Sequence, residues 1–285
     1  MTVSVPYNFG GLEDEFLKYE HSKIAVLPVA FDETSSWGKG SDRGPKAIIE
    51  ASMNMELYDL ETSSEVYKNG IFTSAEIISN SSEDMIKSVY QRVKEFIRDE
   101  KFVVTLGGEH TVSLPAIKAH HENYNDLSIL QLDAHSDMRD SYLGDKYSHA
   151  CVMARVKELT DDIISIGIRS LDSSELASIK KDNVFFAEDI YNSKEWIGKA
   201  VEKLNKNVYI TLDLDVFDPS IMPSTGTPEP GGLDWYTVIE LLKEVCKNRN
   251  LIGFDVVELM PTECKSSDFL AAKLIYKLLS YKYCI

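Results

Sequence analysis

Apolar residues in this chain fall into short runs that alternate with stretches of helical spacing. Lys23 to Phe31 is almost continuously apolar, the pattern of a parallel strand buried on both faces, and Pro28 within it predicts a short or edge strand. A polar stretch from Asp32 to Arg43 follows, rich in turn formers and long enough to cover a site. Gly44-Pro45 then marks a helix start leading into Lys46 to Asn54. Residues 56–80 are less regular, and Ser81-Ser-Glu-Asp84 offers a cap and first-turn acids for a helix to Asp99. Beyond it the pattern predicts strands at 102–106, 127–132, 163–168, 184–187, 208–212 and 251–257. Helices are predicted from His110 to His121 and over 173–180, 190–204, 234–247 and 267–281.

Strands alternating with helices argue for an α/β protein with a mostly parallel sheet covered on both faces. No linker, repeat or low-complexity segment interrupts residues 1–285, so one domain is expected. In such sheets ligands bind beyond the carboxyl ends of the strands. His110, Asp133, Arg169, Asp213 and Glu258 each follow an apolar run, which places all five along one edge.

The densest chemistry is Asp133-Ala-His-Ser-Asp137. In extended backbone, alternate residues point to one side, so Asp133, His135 and Asp137 converge. Asp213 and Asp215 repeat that spacing at another strand end, among apolar neighbours where unpaired acids would be costly to bury. With His110 the set holds four carboxylates and two imidazoles. That exceeds the usual complement of one ion and suits two ions joined by bridging carboxylates. Oxygen-rich ligands with two imidazoles favour two Mn²⁺, with Fe²⁺, Co²⁺ or Zn²⁺ as alternatives. A water shared by two dications supplies a hydroxide near neutral pH, so hydrolysis is the expected reaction class. His149 and Glu258 are further site candidates, as is the rigid segment from Thr225 to Gly232. Asp218, before Pro219, reads as a turn cap, and His21, His120 and His121 read as surface residues.

Composition narrows the partners. Thirty basic against 46 acidic residues give a net charge of −16, which repels nucleic acid and draws in a small cation. The first residues, Met1 to Pro6, lack a basic n-region and a long apolar stretch, and no later run approaches a membrane span, so neither export nor insertion is expected. Four dispersed cysteines without a CxxC pair predict reduced thiols in a cytoplasm. Gly107-Gly108 follows a strand, but no GxGxxG or GxxxxGK[ST] pattern accompanies it, against a nucleotide-binding site.

Gly107-Gly-Glu-His110, Asp133-Ala-His-Ser-Asp137, Asp213-Leu-Asp-Val-Phe-Asp-Pro219 and Gly226-Thr-Pro-Glu-Pro-Gly-Gly232 together resemble the motifs of the ureohydrolases, the arginase and agmatinase family. The likeness spans Val26 to the last helix. It implies a three-layer α/β/α fold and a di-manganese centre that hydrolyses guanidino compounds to urea and an amine. By the same resemblance, Asp133 and Asp213 bridge the ions, His110 and Asp137 complete one, and His135 and Asp215 the other. Asp137 also holds the bridging hydroxide, Glu258 pairs with the guanidinium, and His149 carries a proton to the leaving amine.

The arginase-type asparagine is absent from Tyr147-Ser-His-Ala150, and Glu229, Asp32-Glu-Thr-Ser-Ser36 and Arg43-Gly-Pro45 look agmatinase-like. The resemblance therefore points to agmatine, with putrescine and urea as products in polyamine synthesis. Ala150, where many relatives have glycine, and Met260, in place of a polar residue, depart from the pattern. They leave open guanidinobutyrate, aminopropyl-agmatine, arginine or a formimino compound. A non-catalytic oligomer binding metal or polyamine is the reading from another class. Relatives form trimers or hexamers, so the resemblance also implies a homo-oligomer.

Overall fold

A computed structural model describes residues 7–285; the opening residues read above for export lie outside that range. The elements run β1 (Ile24–Ala30), α1 (Gly44–Ser52), β2 (Ile71–Thr73), β3 (Ile77–Ile78), α2 (Ser82–Arg98), β4 (Phe102–Gly107) and α3 (Ser113–His121). They continue with β5 (Leu127–Leu132), α4 (Val152–Lys157), β6 (Ile163–Ile166), β7 (Val184–Phe185), α5 (Ala187–Ile190), α6 (Glu195–Lys203), β8 (Asn207–Asp213), α7 (Trp235–Asn248), β9 (Asn250–Val257) and α8 (Ser266–Cys284).

The nine strands form one sheet in the order β2-β1-β4-β9-β8-β5-β6-β7, with β3 also paired to β1, and every pairing is parallel. Successive strand residues point to opposite faces, which divides the core in two. Val26, Val104, Leu130 and Ile210 pack with α1, α6, α7 and α8 through Ile48, Trp196, Val238 and Leu274. Leu27, Val103, Ile129 and Tyr209 pack on the other face with α2, α3 and α4 through Val89, Ile117 and Val156. The result is the three-layer α/β/α arrangement that the motifs imply. Local signals set the helix ends: Ser81 Oγ accepts from the Asp84 N–H before α2, and Asp234 does the same for Thr237 before α7. Asp218 caps its turn as read, accepting from the N–H groups of Ser220, Gly231 and Gly232.

Several boundaries differ from the pattern. β1 is an interior strand despite Pro28, because the ring falls on the side where β2 has ended and β3 has not begun. On that side Val26 O accepts from Ser74 N, while Val29 O turns to Gly108 N across β4, so no ladder donor is missed at Pro28. The helix expected over 173–180 is a 3₁₀ turn, Ser173–Ala177, that stops where Lys157 Nζ donates to the Ser178 carbonyl at 2.7 Å. The helix expected over 190–204 begins only at Glu195, as α6, because the turn formers Asn192 and Ser193 separate it from the short α5 before it. β2, β3 and α4 were hidden in weakly patterned segments. His120 is a core residue rather than a surface one: it is fully buried, Nδ1 lies 2.8 Å from the Ala116 carbonyl, and the ring packs against Tyr209. Burial depresses its pKa to about 4, so it is neutral inside the fold.

Candidate metal centre and active site

Leu106, Val256, Leu212 and Leu132 lie level across the four central strands, so the residues after them emerge side by side. Asp133 follows β5, Asp213 ends β8, Glu258 follows β9, and His110 opens the turn after β4. Parallel register therefore does what spacing alone could not, and brings four distant segments to one place.

His110 Nδ1 lies 3.0 Å from Asp137 Oδ2, 3.2 Å from Asp133 Oδ2 and 3.5 Å from Asp213 Oδ2. His135 Nδ1 lies 2.8 Å from Asp215 Oδ2 and 3.8 Å from Asp133 Oδ1. Ligand atoms of His110, Asp133 and Asp213 form one compact group, those of Asp133, His135 and Asp215 a second, and Asp133 belongs to both. Backbone donors hold the carboxylates: the His135 N–H reaches Asp133, the Asp215 N–H reaches Asp213, and the Ala134 N–H reaches Asp215. Buried Gln131 donates to both Asp133 Oδ2 and the His135 carbonyl. Arg169 makes no ion pair here; it binds the carbonyls of Asp215, Phe217 and Glu229 and so ties the β8 loop to the Glu229 segment. Asp137 and Glu258 both sit in the left-handed region, at φ 53° and 66°, backbone strain of the kind that collects at working sites.

The electrostatics show what this cluster lacks. Burial and the neighbouring Asp137 and Asp215 carboxylates push Asp133 up to about 7. Burial, then Asp215 and Asp133, drives Asp213 far above its usual range. Burial works against the His135 imidazolium, but Asp215 and Asp133 outweigh it and hold the group up to about 10. His110 is likewise raised, its burial outweighed by Asp133 and Asp137. Among the described residues no lysine or arginine pairs with these acids. His110 Nδ1 is buried without a hydrogen-bond partner, facing three carboxylate oxygens. Acceptors gathered around a bare imidazole nitrogen suit divalent cations, and the shared Asp133 suits two of them.

Beside the cluster opens a cavity of about 330 Å³, lined by His135, Asp137, His149, Asp213, Asp215 and Glu258. Glu258 Oε1 accepts from the His110 N–H at 2.7 Å, and Gly226 lies beside Oε2. Burial and nearby Glu109 raise the Glu258 pKa well above the carboxylate range. His149 is lowered by burial, and its Nδ1 has the hydroxyls of Thr34 and Ser148 at 3.3 and 3.2 Å, leaving Nε2 to the cavity. The polar loop after β1 covers the site as its length suggested: Ser35, Ser36, Trp37 and Gly38 form part of the cavity wall. Met260 packs beneath Gly38, so its loss of polarity serves that cover.

The residue that sequence reasoning passed over is Glu109. Fully buried, it accepts from the Thr34 N–H and hydroxyl at 2.7 and 2.6 Å and from the Ser35 N–H at 3.1 Å, while Thr34 Oγ1 accepts from the His149 N–H at 2.9 Å. Glu109 therefore anchors both the covering loop and His149. Its only sequence signal was adjacency to His110, which says nothing about a loop 75 residues away.

Known proteins resemble the chain over most of its length. The chain is 36% identical over 283 residues to the N(1)-aminopropylagmatine ureohydrolase of Synechocystis sp., covering 95% of this chain and 92% of that one. It is 34% identical over 257 residues to the agmatinase of Pyrococcus horikoshii, covering 88% and 89%. The crystal structure of the agmatine ureohydrolase of Thermoplasma volcanium superposes with a TM-score of 0.88 at 32% identity, over 99% of this chain and 96% of that one. With the arginase family model matching residues 22–280, the chain belongs to the arginase family and is an agmatinase-like ureohydrolase.

Proposed function

We propose that the protein hydrolyses the guanidino group of a linear agmatine-type amine, with N(1)-aminopropylagmatine as its substrate, releasing urea and the corresponding polyamine. The observation that carries the reading is the buried acidic cluster with its bare His110 Nδ1, set beside a cavity that also holds Glu258 and His149. The aminopropyl extension is supported by relatives of that name at 36% and 35% identity. Agmatine itself is the second reading, supported by the agmatinases at 34% and 30%.

In this reading His110, Asp133, Asp137 and Asp213 hold one divalent ion and Asp133, His135, Asp213 and Asp215 the other, with Mn²⁺ proposed for both. When bound, such a pair supplies a nucleophilic hydroxide near neutral pH. Glu258 does the orienting: its carboxylate, at the cavity wall, accepts the N–H bonds of the guanidinium. Asp137, beside His110, aims the attacking oxygen through a hydrogen bond. His149, neutral at rest, takes up at Nε2 the proton given up by the attacking hydroxyl and passes it to the departing amine. Asp172 and Glu229 on the wall, with the overall charge of −16, favour a polycation over a substrate carrying a carboxylate.

The unpaired thiols support a cytoplasmic setting, and the motif resemblance supports a homo-oligomer, a trimer or hexamer, of one-domain subunits. Among the described residues no helix is long and apolar enough to cross a membrane. The test is urea release by Mn²⁺-loaded protein from N(1)-aminopropylagmatine, agmatine, arginine and guanidinobutyrate, beside an Asp133→Ala control. Preference for aminopropylagmatine that vanishes in the control is expected. Higher activity on agmatine moves the substrate, and metal-loaded protein that releases no urea from any of them overturns the catalytic reading.

A further inference from the structure

Asp255 lies inside β9, three residues before Glu258, with no exposed surface. A carboxylate there is costly unless donors surround it. Three hydroxyls do so: Ser113 donates to Oδ1 at 2.9 Å, Thr211 to Oδ1 at 2.8 Å and Tyr209 to Oδ2 at 2.8 Å. Ser113 begins α3, and Tyr209 and Thr211 sit on neighbouring β8, so three elements converge on one acid.

Thr211 has a single hydroxyl proton. Its approach to Asp255 is shorter than its 3.1 Å contact with Ser113, whose own proton is on Asp255. With that proton committed, Thr211 Oγ1 can only accept from His110 Nε2, 2.9 Å away. In its neutral form the imidazole then carries hydrogen on Nε2 and turns the Nδ1 lone pair toward Asp133, Asp137 and Asp213.

We infer that Asp255 is a positioning residue which, acting through Thr211, fixes the His110 tautomer that a metal ion needs. It does not line the cavity and touches none of the candidate ligands directly. The inference rests on reading the cluster as a metal centre. Replacing Asp255 with Leu, of similar size, removes the acceptor altogether, whereas Asn could keep its oxygen toward Thr211 and turn its amide group to Tyr209. Thr211 is then free to point its proton at His110 Nε2, which favours hydrogen on Nδ1 and closes the ligand position.

The experiment is a Mn²⁺ titration of metal-free protein, following free Mn²⁺ by electron paramagnetic resonance, for wild type, Asp255→Leu, Thr211→Val, the double variant and Thr211→Ser. Thermal melting checks the fold of each. Losses of 10- to 100-fold in affinity are expected for each of the first two single variants. The double variant should lose no more than the worse single one, because both cut the same link, and Thr211→Ser should bind like wild type. Folded Asp255→Leu with unchanged affinity overturns the inference, as do losses that multiply in the double variant. Should Asp255→Leu fail to fold, near-isosteric Thr211→Val decides, and unchanged affinity there also overturns it. Wild type that binds none of Mn²⁺, Co²⁺ or Zn²⁺ overturns the metal reading beneath it, an outcome distinct from equal binding by all variants.

Discussion

Two groups of acids cluster in this molecule, and they are balanced in opposite ways. Beneath α8, Lys277 places Nζ 2.9 Å from Asp59 and 2.6 Å from Glu61, and Tyr281 and Lys243 add donors to Glu61. Those acids have cations of the protein's own, and Glu61 is drawn down to about 2: burial opposes its charge, but Lys243, Lys277 and Tyr281 overcome it. At the carboxyl ends of β4, β5, β8 and β9 the acids have only histidines and each other, and Asp133 is pushed up to about 7. The first cluster fastens the last helix to the segment before β2. The second is complete only with charge from outside, and this deficit distinguishes a site from a staple.

Removing one acid from the second cluster should break the comparison most sharply. Asp213→Asn keeps the acceptor for the Asp215 N–H but removes a charge. Urea release should fall about a thousandfold or more, on the order of 4 kcal/mol in the barrier. The metal-free variant should meanwhile melt roughly 2–4 °C above metal-free wild type, because repulsion is relieved. Melting with and without Mn²⁺ checks this, and an activity loss with lowered metal-free stability would assign Asp213 a packing role instead.

Lys277→Ala tests the other side. The lysine is 12% exposed, and its loss leaves two carboxylates facing one another, so about 2 kcal/mol of stability should go. That loss should be equal with and without metal, and kcat should not change. Denaturant unfolding measures it, and a metal-dependent difference would join the two clusters that appear separate.

The smallest effect is a contrast in acid. Glu61 has its folded pKa depressed from 4.5 to about 2, so its contribution is present above pH 4.5 and lost as pH falls through 2. Partly exposed, it is worth at most about 1 kcal/mol. The stability gap between wild type and Glu61→Gln should therefore close over that window. Asp133 runs the other way in metal-free protein: with a folded pKa near 7 against an ordinary 3.8, the fold takes up a proton and gains stability as pH falls across that range. The advantage of metal-free Asp213→Asn over wild type should shrink below pH 7, and a gap that widens there would refute the repulsion argument.

Much of this was legible in the chain because it is local. The apolar runs of β4, β5, β8 and β9, the cap at Ser81, the turn at Asp218 and the i, i+2 spacing of Asp133 with His135 and of Asp213 with Asp215 are properties of a few adjacent residues. Those short-range patterns determined the fold class, the strand ends that bear chemistry and the identity of the clustered acids. Tertiary structure decided the rest. Parallel register set Asp133, Asp213 and Glu258 level; the gap between β2 and β3 let Pro28 sit inside the sheet; and long-range closure put Glu109 under Thr34, Asp255 behind Thr211 and His120 in the core. Each of these depends on what lies opposite a side chain once the sheet has closed. A pattern along the chain reports which residues seek burial, and only packing decides which polar groups are buried with them and who answers their charge.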